Sequence, residues 1–279
     1  MSVASCLTDS FYFERKTDLA RIYPLFSSSS ANAHFVGTPS GGILIDAGAS
    51  CKRLVSALLQ NDIPASAVSA VFITHDHADH INGLKVFAKT FKVPVYASAG
   101  TLDFLIAHDL VSPETELYEI GSGAEAGGFF VNSYPTPHDA AESVGYKIHT
   151  PDGKICCVCT DLGHVTERVD SELRGSDLVL LESNYDESML RSGPYPYLLK
   201  QRIASKVGHL SNPDSAREVR LLIESGTRRI ILGHLSRENN TPRVAENTLL
   251  RTLGEDFVKN RDYVLTIAPV ETQGLGVVF

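Results

Sequence analysis

Along most of the chain, short β-rich apolar runs end in polar turns and are followed by stretches with helical spacing. Ala33–Asp46 reads as a hairpin that turns at Thr38-Pro-Ser-Gly-Gly42. Lys52–Asn61 sets Leu54, Leu58 and Leu59 on one side and predicts a helix. A buried strand follows at Val71–Thr74, then a helix at Asn82–Phe91, a strand at Pro94–Ala97 and a helix at Thr101–His108. In the second half, strands are predicted over Ile155–Thr160, Leu178–Glu182, Arg229–Gly233 and Tyr263–Ala268. Helices are predicted over Glu167–Arg174, Asp214–Glu224 and Val244–Leu253, with Asn212 or Asp214 as N-cap of the middle one. Ser192-Gly-Pro-Tyr-Pro-Tyr197 reads as an irregular loop. No repeat or long linker interrupts the series. The expectation is therefore one α/β domain over residues 1–279, with two β-rich halves each covered by helices.

Composition narrows the setting. At 43% hydrophobic and 21% charged residues, the 279-residue chain has ample core-forming material. No run approaches the roughly 20 apolar residues needed to span a bilayer. The N-terminal stretch MSVASCLTDSFYFERK has no basic region followed by an apolar one, so a signal peptide is not expected and a cytoplasmic protein without membrane contact is. Five cysteines, three of them at Cys156, Cys157 and Cys159 in an apolar run, read as small buried hydrophobes rather than a disulfide framework. A net charge of −8 argues against broad electrostatic adhesion to nucleic acid. It does not exclude a nucleic-acid enzyme, because bound divalent cations are local charges that the count omits.

The candidate chemistry is concentrated in VFITHDHADHING, residues 71–83, where an apolar strand stops in three histidines and two aspartates. Alternate strand residues share a face, so His75 and His77 can serve one ion. If a helix begins after His77, Asp79 and His80 can serve another. Neutral imidazoles and carboxylates suit Zn, Mn or Fe. Two ions roughly 3.5–4 Å apart can hold a hydroxide between them as nucleophile and neutralise a phosphodiester's developing charge.

The stretch Thr74-His-Asp-His-Ala-Asp-His80 resembles the signature of the metallo-β-lactamase fold, a four-layer αββα hydrolase scaffold, and the resemblance covers most of the chain. It implies two divalent metal ions: His75, His77 and His138 on one, Asp79, His80 and His234 on the other, with Asp161 bridging. Asp46, in Leu44-Ile-Asp-Ala-Gly48, falls at a position that orients a ligand histidine. His at position 77 favours hydrolysis over redox di-iron chemistry, and Asp at 161 favours phosphodiester or thioester hydrolysis over antibiotic hydrolysis.

The phosphodiesterase side of the superfamily, which includes RNase Z, is similar around Leu180-Leu-Glu-Ser-Asn184 and Val207-Gly-His-Leu-Ser-Asn212. That resemblance implies a relay in which Glu182 supports His209 as the proton donor to the leaving group, so Asp79, His209 and Glu182 are the catalytic candidates. A narrower resemblance, to the YycJ/WalJ group of bacterial exonuclease-like metallohydrolases, is carried by four segments. They are Tyr23-Pro-Leu-Phe-Ser-Ser-Ser-Ser-Ala-Asn32, Leu181-Glu-Ser-Asn-Tyr-Asp186, Gly208-His-Leu-Ser-Asn212 and Leu232-Gly-His-Leu-Ser-Arg-Glu-Asn-Asn240. Ala31 stands where the group has glycine, leaving Ser29, Ser30 and Asn32 as the side-chain donors expected to meet substrate. Arg191, Lys200, Arg202 and Lys206, with Tyr195 and Tyr197, form a basic and aromatic segment suited to tracking a nucleic-acid backbone. The expected activity is a DNA exonuclease acting on single strands or ends. A small-molecule phosphodiesterase or thioester hydrolase of the same fold is the alternative.

Overall fold

The structure, a computed structural model, describes residues 19–38 and 40–279. The N-terminal stretch that lacks signal-peptide character, and Pro39 of the hairpin turn, lie outside the described residues.

Among the described residues, two seven-stranded sheets are built on the same plan. In the first, β1 (Arg21–Ser28), β2 (Ala31–Thr38) and β3 (Gly41–Ile45) form an antiparallel meander. β4 (Val68–Phe72), β5 (Val95–Ala97) and β6 (Leu117–Glu119) then add in parallel after β3. In the second, β7 (Ala124–Ala126), β8 (Phe129–Pro135), β9 (Val144–His149) and β10 (Ile155–Cys159) are antiparallel. β11 (Leu178–Glu182), β12 (Arg229–Gly233) and β13 (Val264–Ile267) continue in parallel. The last strand, β14 (Val277–Val278), returns to pair antiparallel with β1.

Helices fill the parallel crossovers, as such connections require. They are α1 (Cys51–Leu59), α2 (Ala78–Ile81), α3 (Leu84–Phe91) and α4 (Ala99–Ala107) in the first half. The second half has α5 (Glu167–Leu173), α6 (Glu187–Ser192), α7 (Tyr197–Ile203), α8 (Asn212–Glu224) and α9 (Pro242–Leu253). Alternation along the strands sorts the apolar residues into three layers. Phe35, Leu44 and Val71 meet Leu54, Leu58 and Phe87 on one outer face. Cys157, Cys159 and Val179 meet Val219, Leu222 and Leu249 on the other. Between the sheets lie Val36, Ile45, Phe72, Val158, Leu180 and Ile231. The result is an αββα sandwich whose parallel strands in both sheets point their carboxyl ends at one edge. Among the described residues no helix is long and apolar enough to cross a membrane.

Two local expectations are corrected. The N-cap of α8 is Ser211, whose side chain accepts from the Asp214 amide, rather than Asn212 or Asp214. Asn212 is engaged elsewhere, its Oδ1 accepting from Ser183 and Asn240. The irregular loop at 192–197 shrinks to Gly193–Pro196, because Ser192 closes α6 and Tyr197 opens α7. The three cysteines of β10 are buried and free, as a strand of small hydrophobes requires.

Leu180 is fully buried between the sheets. Leu180→Ala is expected to cost about 2–5 kcal/mol of stability, read by urea unfolding of metal-free protein. A loss below about 0.5 kcal/mol would show that the inter-sheet layer does not carry the fold.

Candidate metal centre

The site forms because strands from both sheets end at one place and turn abruptly. Asp46 follows β3, Asp161 follows the end of β10 and His234 follows β12, and all three adopt left-handed backbone with φ of 62°, 55° and 52°. Non-glycine residues rarely hold this conformation, and when they do it commonly marks a functional site.

Asp46 organises the first sheet's contribution. Its Oδ1 accepts from the Thr74 amide at 2.8 Å, and its Oδ2 from Nδ1 of His80 at 2.7 Å. The Thr74 hydroxyl also donates to it, at 2.9 Å. His75 and His77 thus leave the end of β4 in extended chain, and His77 caps α2, which carries Asp79 and His80. Gly48 is required beside them: a Cβ there would lie 1.7 Å from the Asp79 carbonyl oxygen. Asn32 of β2 donates to the Asp79 carboxylate at 3.1 Å and stands 3.0 Å from Nε2 of His80.

The second sheet supplies the facing half. His138, in the loop after β8, donates from Nδ1 to the Gly208 carbonyl at 2.9 Å, and its Nε2 stands 3.2 Å from Nδ1 of His77. Asp161 lies centrally, its Oδ1 3.3 Å from Nδ1 of His234 and 3.8 Å from Nε2 of His138. Its Oδ2 is 3.2 Å from Nε2 of His80. No side-chain hydrogen bond of good geometry reaches Oδ2 of Asp161, which is buried. Glu182, at the end of β11, is fully buried; its Oε1 is 2.8 Å from Nδ1 of both His209 and His234. Its Oε2 accepts from the Leu162 and Leu210 amides at 3.0 and 3.1 Å.

These residues fit a metal centre. His75, His77 and His138 can offer nitrogens to one ion, Asp79, His80 and His234 to another, and His75, His80 and Asp161 form an overlapping group. His80, His138 and His234 each turn Nδ1 outward to an acceptor, which leaves Nε2 as the inward lone pair, the arrangement that orients histidine ligands. Nε2 of His75 and of His234 are buried without a partner.

Other expected residues fall at varied distances from this chemistry. Ser29 and Ser30 sit exposed in the β1–β2 turn, where Ser30 bonds Ser28, while Asn32 is buried within the cluster. Two of the four expected cations are occupied: Arg202 pairs with Asp139 at 2.9 Å and Lys200 donates to the Arg191 and Gly193 carbonyls. Tyr197 is exposed on α7. Sequence reasoning missed three features. Asp76 faces away from the cluster and accepts from the Ala141 amide at 2.8 Å, tying down the His138 loop. Glu182 holds His234 as well as His209. His34 on β2 is buried close below the cluster, and its inward parity with Val36 was the signal available.

A family model described as the beta-lactamase superfamily domain matches residues 42–235. The chain belongs to the metallo-β-lactamase superfamily. It is 36% identical to exodeoxyribonuclease YycJ of Bacillus anthracis, over 83% of this chain and 88% of that one. Identity to exodeoxyribonuclease WalJ of Streptococcus pneumoniae is 34%, over 83% and 87%. The metallo-β-lactamase-fold protein YhfI of Bacillus subtilis superposes with a TM-score of 0.71 at 17% identity, covering 93% of this chain and 99% of that one, which shows the shared fold. A member of this superfamily with these relatives is a metal-dependent hydrolase.

The electrostatics of this metallo-β-lactamase-fold site are set by burial opposing charge and by pairing that restores it. Burial disfavours protonated His234, but Asp161, Asp79 and Glu182 outweigh it and push the pKa up to about 10. His80 is likewise raised, burial being overcome by Asp46, Asp161 and Asp79. Asp161 is held well below the carboxylate range, burial again being outweighed, here by His234 and His80. His75 goes the other way, pushed down by burial and by the neighbouring His80.

His80 and His234 therefore carry protons in the metal-free fold at pH 7. Their stabilisation is full below the unfolded imidazole value of about 6.5 and is lost as pH rises through the folded value, about 10 for His234. The melting temperature of metal-free protein is expected to fall between pH 7 and 10. Metal ligation needs neutral imidazoles, so loading at pH 7 is expected to release protons. Calorimetry in buffers of different ionisation enthalpy would show this; zero net release would refute the protonation pattern.

Proposed function

We propose that the chain is a dinuclear metal-dependent phosphodiesterase acting as a nuclease on DNA ends. The observation that carries the dinuclear reading is that buried Asp161 groups with His75 of one candidate ligand set and His80 of the other. The substrate reading is supported by two relatives named exodeoxyribonucleases, each more than 30% identical over most of both chains. His75, His77 and His138 would hold one ion, Asp79, His80 and His234 the other, with Asp161 shared between them. Zn, Mn and Fe all suit this donor set. When bound, such ions lower the pKa of a water to supply the nucleophile and neutralise charge developing on the phosphate.

The protein's own residues then have distinct tasks. Asp46 holds His80, and the Gly208 carbonyl holds His138, in the orientation that turns each Nε2 inward. Glu182 does the same for His234 and leaves His209 with its Nε2 available. His209 would hand a proton to the leaving oxygen. Its side chain keeps 15% of its surface exposed, whereas those of His80, His138 and His234 keep at most 1%. Asn32 fixes the Asp79 carboxylate, and Ser29 and Ser30 present hydroxyls at the rim for a neighbouring phosphate. We read residues 1–279 as one such domain, working in the cytoplasm, where the free cysteines of β10 stay reduced.

The test is turnover of end-labelled single- and double-stranded DNA, beside RNA and bis-p-nitrophenyl phosphate, by stripped protein reloaded with Mn or Zn. Stepwise shortening of DNA that vanishes in Asp161→Ala is the expected result. Cleavage of the small diester alone would move the substrate to a small molecule. His209→Ala is expected to keep its metal and lose about 10²–10⁴-fold in kcat on DNA. The loss should be far smaller on bis-p-nitrophenyl phosphate, whose leaving group needs no proton. Equal losses on both substrates would remove His209 from the proton-donor role.

A further inference from the structure

Beneath the cluster, between the sheets, lies polar chemistry that the ligand set does not use. His34 of β2 is completely buried, and neither ring nitrogen has a hydrogen-bond partner. It faces the inter-sheet layer: Val36, two residues on, lies in that layer, as does Ile45, next to it on β3. Across the gap, Cys156 and Val158 of β10 point into the same layer, and Thr160 continues their alternation. The Thr160 hydroxyl is also buried without a partner, and so is Oδ2 of the adjoining Asp161. His34 and Thr160, on facing sheets, thus bring unsatisfied polar atoms into an otherwise apolar layer. Buried polar groups are rarely orphaned, and a bridging water with two to four partners is the usual solution.

We propose that His34 and Thr160 are positioning residues of the metal centre, holding an internal water that hydrogen-bonds Oδ2 of Asp161 and fixes the orientation of that carboxylate. A ring so completely buried, with no acid bonded to it, is neutral and offers one donor and one acceptor. The Thr160 hydroxyl can donate or accept, and Oδ2 of Asp161 accepts, so the three residues offer complementary partners to one water. The carboxylate that two ligand groups share is otherwise tethered only through the imidazoles themselves. An outer contact of this kind commonly governs metal affinity. The inference rests on the dinuclear reading above.

The measurement is Zn and Mn affinity of the stripped protein by chelator competition, with thermal unfolding of the metal-free form beside it. His34→Phe is expected to bind metal about 10–100-fold more weakly, while metal-free stability changes little, because the polar ring and its water are replaced together by an apolar ring. His34→Gln, which retains a donor and an acceptor, is expected to recover most of the affinity. Thr160→Val removes only the hydroxyl and is expected to weaken binding in the same direction. Wild-type affinity in folded His34→Phe would overturn the proposal. If that variant does not fold, unchanged affinity in Thr160→Val would do so. A wild-type protein that binds no metal would instead sink the dinuclear reading itself, and this role with it.

Discussion

Everything in this site depends on keeping Asp46, Asp161 and Glu182 buried together as anions. Isolated charges in such surroundings would be prohibitively costly, and like charges compound the difficulty. The chain solves this by giving each carboxylate imidazole partners: Asp46 faces His80, Glu182 faces His209 and His234, and Asp161 lies among His80, His138 and His234. In the metal-free protein, protons on His80 and His234 supply the compensating charge. Divalent ions would supply it in the loaded enzyme. The cluster is therefore stable in either state only through cations, and metal and protons compete for the same nitrogens.

The sandwich architecture makes such a concentration possible. Parallel strands in both sheets end at one edge, and ligands of open α/β sheets gather at carboxyl ends for that reason. The left-handed turns at Asp46, Asp161 and His234 carry the chain out of each strand within one residue, so side chains stay at the edge instead of following the strand's alternation. The Asn and Ser residues of the later motifs serve this frame. Asn240 bonds Asn212 and the Ser183 carbonyl, and Asn184 donates to the His234 carbonyl, which ties the ends of β11 and β12 to the start of α8.

Much of this was legible in the sequence, for identifiable reasons. The strands β4, β10, β11 and β12 are short apolar runs closed by polar residues, so their ends stood out, and the chemistry sits at those ends. The strand β1 escaped because Pro24 and the serine run weaken its pattern. Strand β8 escaped because it mixes buried and exposed positions with polar residues, and β9 because Gly145, Lys147 and His149 interrupt its apolar residues. The helices α6 and α7 are short, and the Gly193–Pro196 break between them masked both. The cluster of His75, His77, Asp79 and His80 was readable from spacing alone, whereas His138, Asp161 and His234 depended on resemblance, since each is a lone polar residue in its own stretch. Asp76 was misleading. It belongs to the motif by position and was given no task there, and its hold on the His138 loop shows only in three dimensions.

The sharing of Glu182 has a consequence for how this protein can evolve. One oxygen atom braces both Gly-His-Leu-Ser segments, so the residue that would release product and a residue that would hold an ion hang from the same hinge pin. A change at Glu182 would disturb both at once, and neither histidine could be retuned through it independently. Descendants seeking new substrates are thus steered toward the rim, where Ser29, Ser30 and the outer face of α7 can vary without touching that pin.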